Sequence, residues 1–393
     1  HLNKIDKIHK NMKKQKICII GDGLSGLTAA LVLSGLKVDV DLISLNKSFK
    51  NVPDRRVTAI SQSNYKFLSD YLPTKDLKSF WSCKNINLYH EKSDQYYNFM
   101  NLSDKNKNII HIIKNNDLKK IIIKKINKYK NVNIIKGEVK KIDTKKSKIL
   151  IKNKNLFYDL ILVCLGRKSN IVSDIVGKRN IKIDKNEIAL TSMVEHNSLI
   201  SDPKQYFLKE GPLAILPINK KTFSFVWSLN KEFINLKDEK IKDFVSLNLK
   251  KVLGSNINFY LEHPDIFPIS FKFNINFSKK NTLVLGESSY NIRPIAGQGF
   301  NLILRDIQKL FQYIKENQSL GLPIKDSLII KKFVLSRKPE NLLFGLGIDF
   351  TNNFFKHNKS FSSIKDFILK DINKFDFLKR ISLKISDKGI FSL

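Results

Sequence analysis

The hydrophobic pattern alternates between short continuous apolar runs and longer stretches with helical spacing. Ile17–Ile20 is a continuous apolar run, followed at once by Gly21-Asp22-Gly23-Leu24-Ser25-Gly26. A helical segment from Leu27 to Ser34 comes next, Gly35 stops it, and Val38–Ile43 is again apolar. Short runs bounded by turn residues predict buried strands, so this opening reads strand–turn–helix–strand. Asp159–Cys164 is a second buried run and turns at Leu165–Ser169. Thr282–Leu285 is a third, and it leads into a loop containing Pro294, Gly297, Gln298 and Gly299. The helix after that loop carries Phe300, Ile303, Ile307, Leu310 and Ile314 at helical spacing.

Between these landmarks, Pro53–Ser61 reads as a loop entering a helix, Asn85–Asn101 as a strand pair and Ile109–Tyr129 as a helix. Asn133–Ile151 reads as a hairpin-like strand group. Ile188–Val194, Thr222–Leu229 and Phe267–Phe277 have the look of antiparallel strands, interrupted by a helix at Asp238–Val252. After Leu322-Pro323 the chain is expected to be helical to its end.

Composition narrows the function. A hydrophobic content of 42% over 393 residues argues for a folded chain with a substantial core. The net charge of +34 is diluted: lysines occur throughout, mixed with asparagine and isoleucine, and no nucleic-acid-binding motif accompanies them. No nucleic acid is therefore expected as a partner. Loose attraction to an anionic membrane surface fits better. The tail Phe344–Leu393 mixes phenylalanines with lysines, which suits either packing on the body or contact with lipid. Cys18, Cys83 and Cys164 are isolated, without metal or redox spacing, and Cys18 and Cys164 sit in apolar runs as core residues do. No apolar stretch is long enough to span a bilayer. The polar segment His1–Lys16 lacks the apolar core of a secretory signal and reads as a frayed start. The expected location is the cytoplasm, with peripheral contact at the inner face of the plasma membrane.

The chemistry sits in the glycine-rich turns. Gly21, Gly23 and Gly26 follow a strand and open a helix, the context a dinucleotide fingerprint requires. Gly21 allows the tight turn, Gly23 lets a pyrophosphate approach the backbone, and Gly26 lets helix and strand pack closely. An acidic residue should end the second strand and bond the ribose hydroxyls. That place falls on Ser44, with Asp41 three residues earlier. Arg55 and Arg56 are either solvated or positioned to neutralise a pyrophosphate. Gly297 and Gly299 leave backbone N–H groups free at a helix N-terminus, where the dipole favours negative charge. No Ser-His-Asp set, paired carboxylates or metal cluster is visible, so no catalytic side chain and no metal is assigned. His90, His111 and His263 read as ordinary loop or surface residues. These features make an α/β chain: a Rossmann-like dinucleotide-binding domain with an inserted, mainly antiparallel β-sheet domain and a helical C-terminal region. The nucleotide-binding domain is expected at residues 16–84, 104–178 and 281–322, the sheet domain at 85–103 and 179–280, and the helical region at 323–393.

Taken together, Gly21–Gly26, Asp159–Ser169 and Gly286–Asp306 resemble, in order, the three fingerprints of the FAD-dependent single-component flavoprotein monooxygenases. Within that superfamily the chain is most similar to the ubiquinone-biosynthesis aromatic-ring hydroxylases. Arg293-Pro294-Ile295-Ala296-Gly297-Gln298-Gly299-Phe300-Asn301-Leu302 with Leu304-Arg305-Asp306 carries that likeness, with Gly211–Pro217, Val226-Trp227 and Asp54-x-Arg56-x-x-Ala59-Ile60-Ser61. The resemblance implies FAD held by Gly21, Gly23, Leu24, Ser25, Gly26, Ser44, Arg56, Gly286, Glu287, Pro294, Gly297, Gln298, Gly299, Phe300 and Asn301. It implies hydroxylation of a polyprenylated phenol by NAD(P)H and dioxygen through a flavin hydroperoxide, and a place in a ubiquinone-biosynthesis complex. Leu213, Ile215, Pro217, Phe225 and Trp227 are candidates for the ring and prenyl pocket, or equally for core. The chain departs from the family at Ser44, Asn116, Leu165, Glu287 and Tyr290. Ser44, Asn116, Leu165 and Glu287 motivate one alternative, a catalytically impaired assembly partner of quinone synthesis; another FAD-dependent oxidoreductase of the same fold is a second.

Overall fold

The computed structural model describes residues 14–44, 54–166, 169–230, 238–293, 297–325, 328–355 and 376–390. Its first strand, Gln15–Ile20, lies inside a six-stranded sheet. Val38–Ser44 pairs with it in parallel on one side and Leu160–Val163 on the other. Val132–Lys136 and Thr282–Val284 extend the sheet in parallel at either flank, and Ser278–Lys279 closes one edge antiparallel. The chain thus winds outward from its first strand in both directions. Strand order reverses there, and such a switch point leaves a crevice beyond the carboxyl ends of the strands. Both faces of this sheet are covered. Ile17 and Ile19 pack with the Leu24–Leu33 helix, whereas Cys18 and Ile20 pack with Val139, Ile149 and Val172. Burial on both faces is why these strands read as unbroken apolar runs.

A nine-stranded sheet forms the second layer. Asn180–His196, Pro212–Asn219, Thr222–Asn230 and Asp265–Asn274 are its long antiparallel members. The hairpin Asn85–Lys92/Gln95–Ser103 joins its edge through Lys204–Phe207. Helix Asp238–Leu253 covers one face with Ile241, Val245 and Leu249. A three-stranded sheet, Val57–Ser61, Ile110–Lys114 and Trp81–Cys83, packs against the other layer through Ala59, Ile112, Phe207 and Leu216. The long helix Gln298–Ser319 lies on the parallel sheet, with Phe300, Ile303, Ile307, Leu310 and Ile314 buried. Helices Ile329–Phe355 and Asp376–Lys388 follow.

Several expectations need correction. Ile109–Tyr129 is not one helix: Ile110–Lys114 is a strand paired with Val57–Ser61, and the helix is Asn115–Ile126. An apolar run next to a helical one cannot be divided by periodicity alone. For the same reason Pro53–Ser61 is not simply a loop entering a helix; Val57–Ser61 is that strand's partner, and the helix starts at Gln62. The first strand already includes Gln15 and Lys16, while residues 1–13 lie outside the described residues. Much of the tail also lies outside them, at residues 356–375 and 391–393. His90 and His111 are buried rather than superficial, whereas His263 is an exposed loop residue. Among the described residues no helix is long and apolar enough to cross a membrane, and none of the His, Cys, Asp and Glu side chains group to hold a metal ion.

Candidate cofactor site

The fingerprint turn forms as its glycines require. Gly21 adopts φ +115°, a conformation L side chains rarely reach, and its N–H donates to Ile43 O at 3.0 Å. That bond draws the turn across the end of the second strand. A side chain at Gly26 would meet Gly21 O at 1.9 Å, so only glycine lets the Leu24–Leu33 helix sit this close. Gly286, at φ +74°, approaches Ser25: a Cβ there would stand 2.7 Å from Ser25 Oγ. The first and last fingerprints, far apart in sequence, therefore meet along the edge formed by the carboxyl ends of the parallel strands.

Arg56 extends this edge. Its guanidinium donates to Asp54 through Nε at 2.8 Å and Nη2 at 3.0 Å, and it lies over the Phe267 ring. The hydrogen bond to Asp54 raises its pKa, burial opposes this, and the charges of Asp54, Glu287 and Asp265 add to the rise. Glu287 is thus close enough for its charge to be felt at Arg56. Burial alone would raise the Asp54 carboxyl, but Arg56 and Lys119 hold it at about 2.

Asn301 links the loop before the long helix to the small sheet. Its Nδ2 donates to Ala59 O at 2.9 Å and to Gly297 O at 3.3 Å; its Oδ1 accepts from Ser61 N–H at 2.9 Å and Asn64 Nδ2 at 3.0 Å. Val57–Ser61 is an edge strand, and Asn301 presents a peptide-like amide to that edge. Gly297, in a left-handed conformation, packs its backbone directly on Ala59. Asp387 of the last helix supports the arrangement from behind, accepting from Ser63 N–H and Oγ at 2.6 Å each.

The glycines divide into two groups. At Gly21, Gly26, Gly286 and Gly297 a Cβ would collide with protein atoms. At Gly23 there is no atom within 4 Å of that position, and at Gly299 the nearest, on Ile292, is 3.9 Å away. Gly23 is exposed and Gly299 partly so, and neither needs a positive φ. Nothing in the packing of the described residues calls for glycine at these two places. Both stand at helix N-termini, where unpaired N–H groups and the dipole suit an anion. Gln298 Oε1, in the first turn, is buried without a hydrogen-bond partner among the described residues. These features fit a bound dinucleotide with one end at Gly23 and the other at Gly299. Leu24 is half-buried beside Gly23, and Phe300 is buried in the core cluster. Pro294, Ile295 and Ala296 lie outside the described residues.

Two buried polar groups escaped the sequence reading. Arg293 is almost fully buried between Glu187 on the large sheet and Asp349 on the Ile329–Phe355 helix, donating to Asp349 Oδ1 at 2.6 Å. Asp306 accepts from Tyr290 Oη at 2.6 Å, Arg337 Nε at 2.6 Å and Asn341. Tyr290 is therefore a support under the loop and does not face the crevice. Among the family departures, Leu165 is buried in the apolar cluster with Val163, Val172 and Ile175.

The candidate pocket residues do not reach the cradle. Leu213, Ile215, Phe225 and Trp227 are all fully buried in the cluster beneath helix Asp238–Leu253. Trp227 stacks on Phe244 at 5.3 Å and donates to Gly211 O at 3.1 Å. Pro217, two residues beyond Ile215 and paired with Phe223, shares that face. Strand side chains alternate, so the opposite face carries Ala214, Leu216, Ser224, Val226, Thr191 and Phe267. That face meets the small sheet through Leu216 and Arg56 through Phe267.

The fold is shared with solved monooxygenases. p-Nitrophenol 4-monooxygenase PnpA of Pseudomonas putida superposes with a TM-score of 0.80 over 96% of this chain and 99% of that one, at 14% identity. PqsL of Pseudomonas aeruginosa, a probable FAD-dependent monooxygenase, gives 0.68 over 94% and 99%, also at 14%. In sequence, part of the chain is similar to ubiquinone-biosynthesis monooxygenases and hydroxylases. It is 29% identical over 219 residues to the mitochondrial ubiquinone biosynthesis monooxygenase COQ6 of Dictyostelium discoideum, covering 46% of this chain and 43% of that protein. It is 26% identical over 194 residues to the ubiquinone hydroxylase UbiL of Rhodospirillum rubrum, covering 47% and 43%. The chain thus spans less than half the length of these curated relatives. No family model matches it.

Proposed function

We propose that this chain is an FAD-dependent monooxygenase that hydroxylates the aromatic ring of a polyprenylated phenol in ubiquinone biosynthesis, with NAD(P)H and dioxygen as co-substrates. The observation that carries the reading is the pair Gly23 and Gly299, glycines that packing among the described residues does not demand, each at a helix N-terminus. FAD, when bound, would supply the redox chemistry. The chain's own part is to hold, orient and exclude water. The N–H groups of Gly23, Leu24 and Ser25 would take the pyrophosphate, with Arg56 as its cation. The N–H groups at Gln298 and Gly299, with the dipole of the long helix, would favour negative charge on the ring edge beside them. Ala214, Leu216, Val226 and Phe267 would wall the aromatic substrate, replacing the five residues of the opposite face.

The division into a nucleotide-binding domain, an inserted substrate domain and a helical C-terminal region belongs to the same proposal. So does peripheral contact with a membrane that delivers the prenylated substrate. Leu335, Leu343, Leu346 and Phe350 are exposed along one side of the Ile329–Phe355 helix, with Lys331 and Lys332 exposed near its start. An apolar stripe with lysines beside it suits an anionic lipid surface. A second reading, an assembly partner without turnover, draws on Leu165, which places an apolar side chain where the family has a carboxylate. The test is reconstitution with FAD, then NAD(P)H oxidation with a prenylphenol and mass analysis of the product. A flavin spectrum and a product heavier by one oxygen support hydroxylation. Bound flavin without substrate-stimulated oxidation favours the assembly partner, and protein that takes up no FAD sinks both.

A further inference from the structure

The acid that should hold the adenosine ribose is missing from the end of the second strand, yet the structure brings another carboxylate to the same corner. Ser44 is the last residue of Val38–Ser44 and is fully buried. Its hydroxyl donates to Asp22 Oδ2 at 2.6 Å. Asp22 is the second residue of the fingerprint turn and half-buried, and the Gly21–Ile43 bond pins its backbone to the end of that strand. Among the described residues Asp22 accepts no other hydrogen bond and makes no ion pair. Asp41, the other acid on the strand, is engaged elsewhere: it accepts from Tyr158 Oη at 2.7 Å, from Lys16 Nζ at 2.7 Å and from Asn133 Nδ2 at 3.3 Å.

We infer that Asp22, oriented by Ser44, is the acceptor for the ribose hydroxyls of the adenosine half of the dinucleotide. The inference rests on the FAD reading above and deepens it. A lone serine offers one hydroxyl, and here that hydroxyl's proton already points at Asp22. The pair instead presents a carboxylate with one oxygen fixed by Ser44 and one left to accept. A charged acceptor makes a stronger hydrogen bond to a hydroxyl than a neutral one. The carboxylate has thus moved from the strand end to the turn, and Ser44 positions it without itself touching the ribose.

The test is equilibrium binding to the full chain freed of flavin. FAD and FMN are followed by flavin fluorescence, and ADP and 2′-deoxy-ADP by displacement of FAD. Asp22→Asn should weaken FAD and ADP by about tenfold, the weight of one charge-assisted hydrogen bond. FMN, which lacks the adenosine half, should bind as before. The wild-type preference for ADP over 2′-deoxy-ADP should disappear in Asp22→Asn. Ser44→Ala should lose less than Asp22→Asn. Moving the acid back to the strand end, in D22G/S44E, should recover affinity lost in D22G, a rescue that a folding defect would not show. The inference is overturned if Asp22→Asn keeps both the FAD affinity and the preference for the ribose hydroxyl. It is also overturned if Glu138→Gln abolishes that preference instead; Glu138 lies in the turn after Val132–Lys136, next to Gly137, whose N–H donates to Ser44 O. Wild-type protein that binds neither FAD nor ADP would overturn the FAD reading itself.

Discussion

Asn301 is the sharpest place to separate a cofactor contact from a structural clamp. The family resemblance assigns it to the flavin, but its amide is fully occupied by protein. Removing it in Asn301→Ala strands two backbone groups on a buried strand edge, Ala59 C=O and Ser61 N–H, with Ala59 0% and Ser61 6% exposed. Each stranded group costs about 1–3 kcal/mol, so the change should cost roughly 2–6 kcal/mol. That is a large share of the ~5–15 kcal/mol that holds a typical domain together. Asn301→Asp gives a sharper contrast. It keeps the acceptor for Ser61 but turns an anionic oxygen toward Ala59 O, so it should cost at least as much as alanine. The assay is urea unfolding of flavin-free protein, read as a shift in midpoint at constant slope, which keeps cofactor binding out of the measurement. Flavin-free Asn301→Ala as stable as wild type, combined with lost FAD affinity, would refute the clamp.

Other outcomes follow from the same geometry. Gly23→Ala should leave flavin-free stability unchanged and weaken FAD binding, whereas Gly26→Ala should disrupt folding outright, because its Cβ would meet Gly21 O at 1.9 Å; thermal melts and a fluorescence titration read both. Arg293→Met should destabilise by about 3–5 kcal/mol at neutral pH, because it removes the buried cation that pairs with both Glu187 and Asp349. Denaturation midpoints at neutral pH read this loss, and a midpoint equal to that of the wild type would refute it. His111 is held down from 6.5 to about 4 by burial, with the Asp387 charge opposing, so its folded pKa lies below its unfolded one. Its contribution is then present above the unfolded value and is lost as pH falls through that window, by up to about 1.4 kcal/mol per pH unit. His111→Gln should flatten this acid limb, and a limb of unchanged slope would show that other groups carry it.

What the sequence by itself determined is what short-range stereochemistry determines. The fingerprint turn follows from residues adjacent in the chain: Gly21 takes a positive φ and Gly26 lets the helix close on Gly21. The long helix is likewise written in its own period, and Phe300, Ile303, Ile307, Leu310 and Ile314 all face the core. The period of two along Pro212–Asn219 and Thr222–Asn230 sorts Leu213, Ile215, Phe225 and Trp227 onto one face. It cannot say which face meets the cradle, because that depends on where helix Asp238–Leu253 lands. Tertiary structure alone decided that these four are core. It also decided the polar partnerships: Arg293 between Glu187 and Asp349, Asp387 on the helix at Ser63, and Asn301 on the free edge of Val57–Ser61. Each joins elements far apart in the chain. A buried polar group must find a partner, but the sequence does not mark which one. Ser44 shows both limits together: its position at the strand end was legible, but its bond to Asp22 required the fingerprint turn to fold back over the end of the second strand.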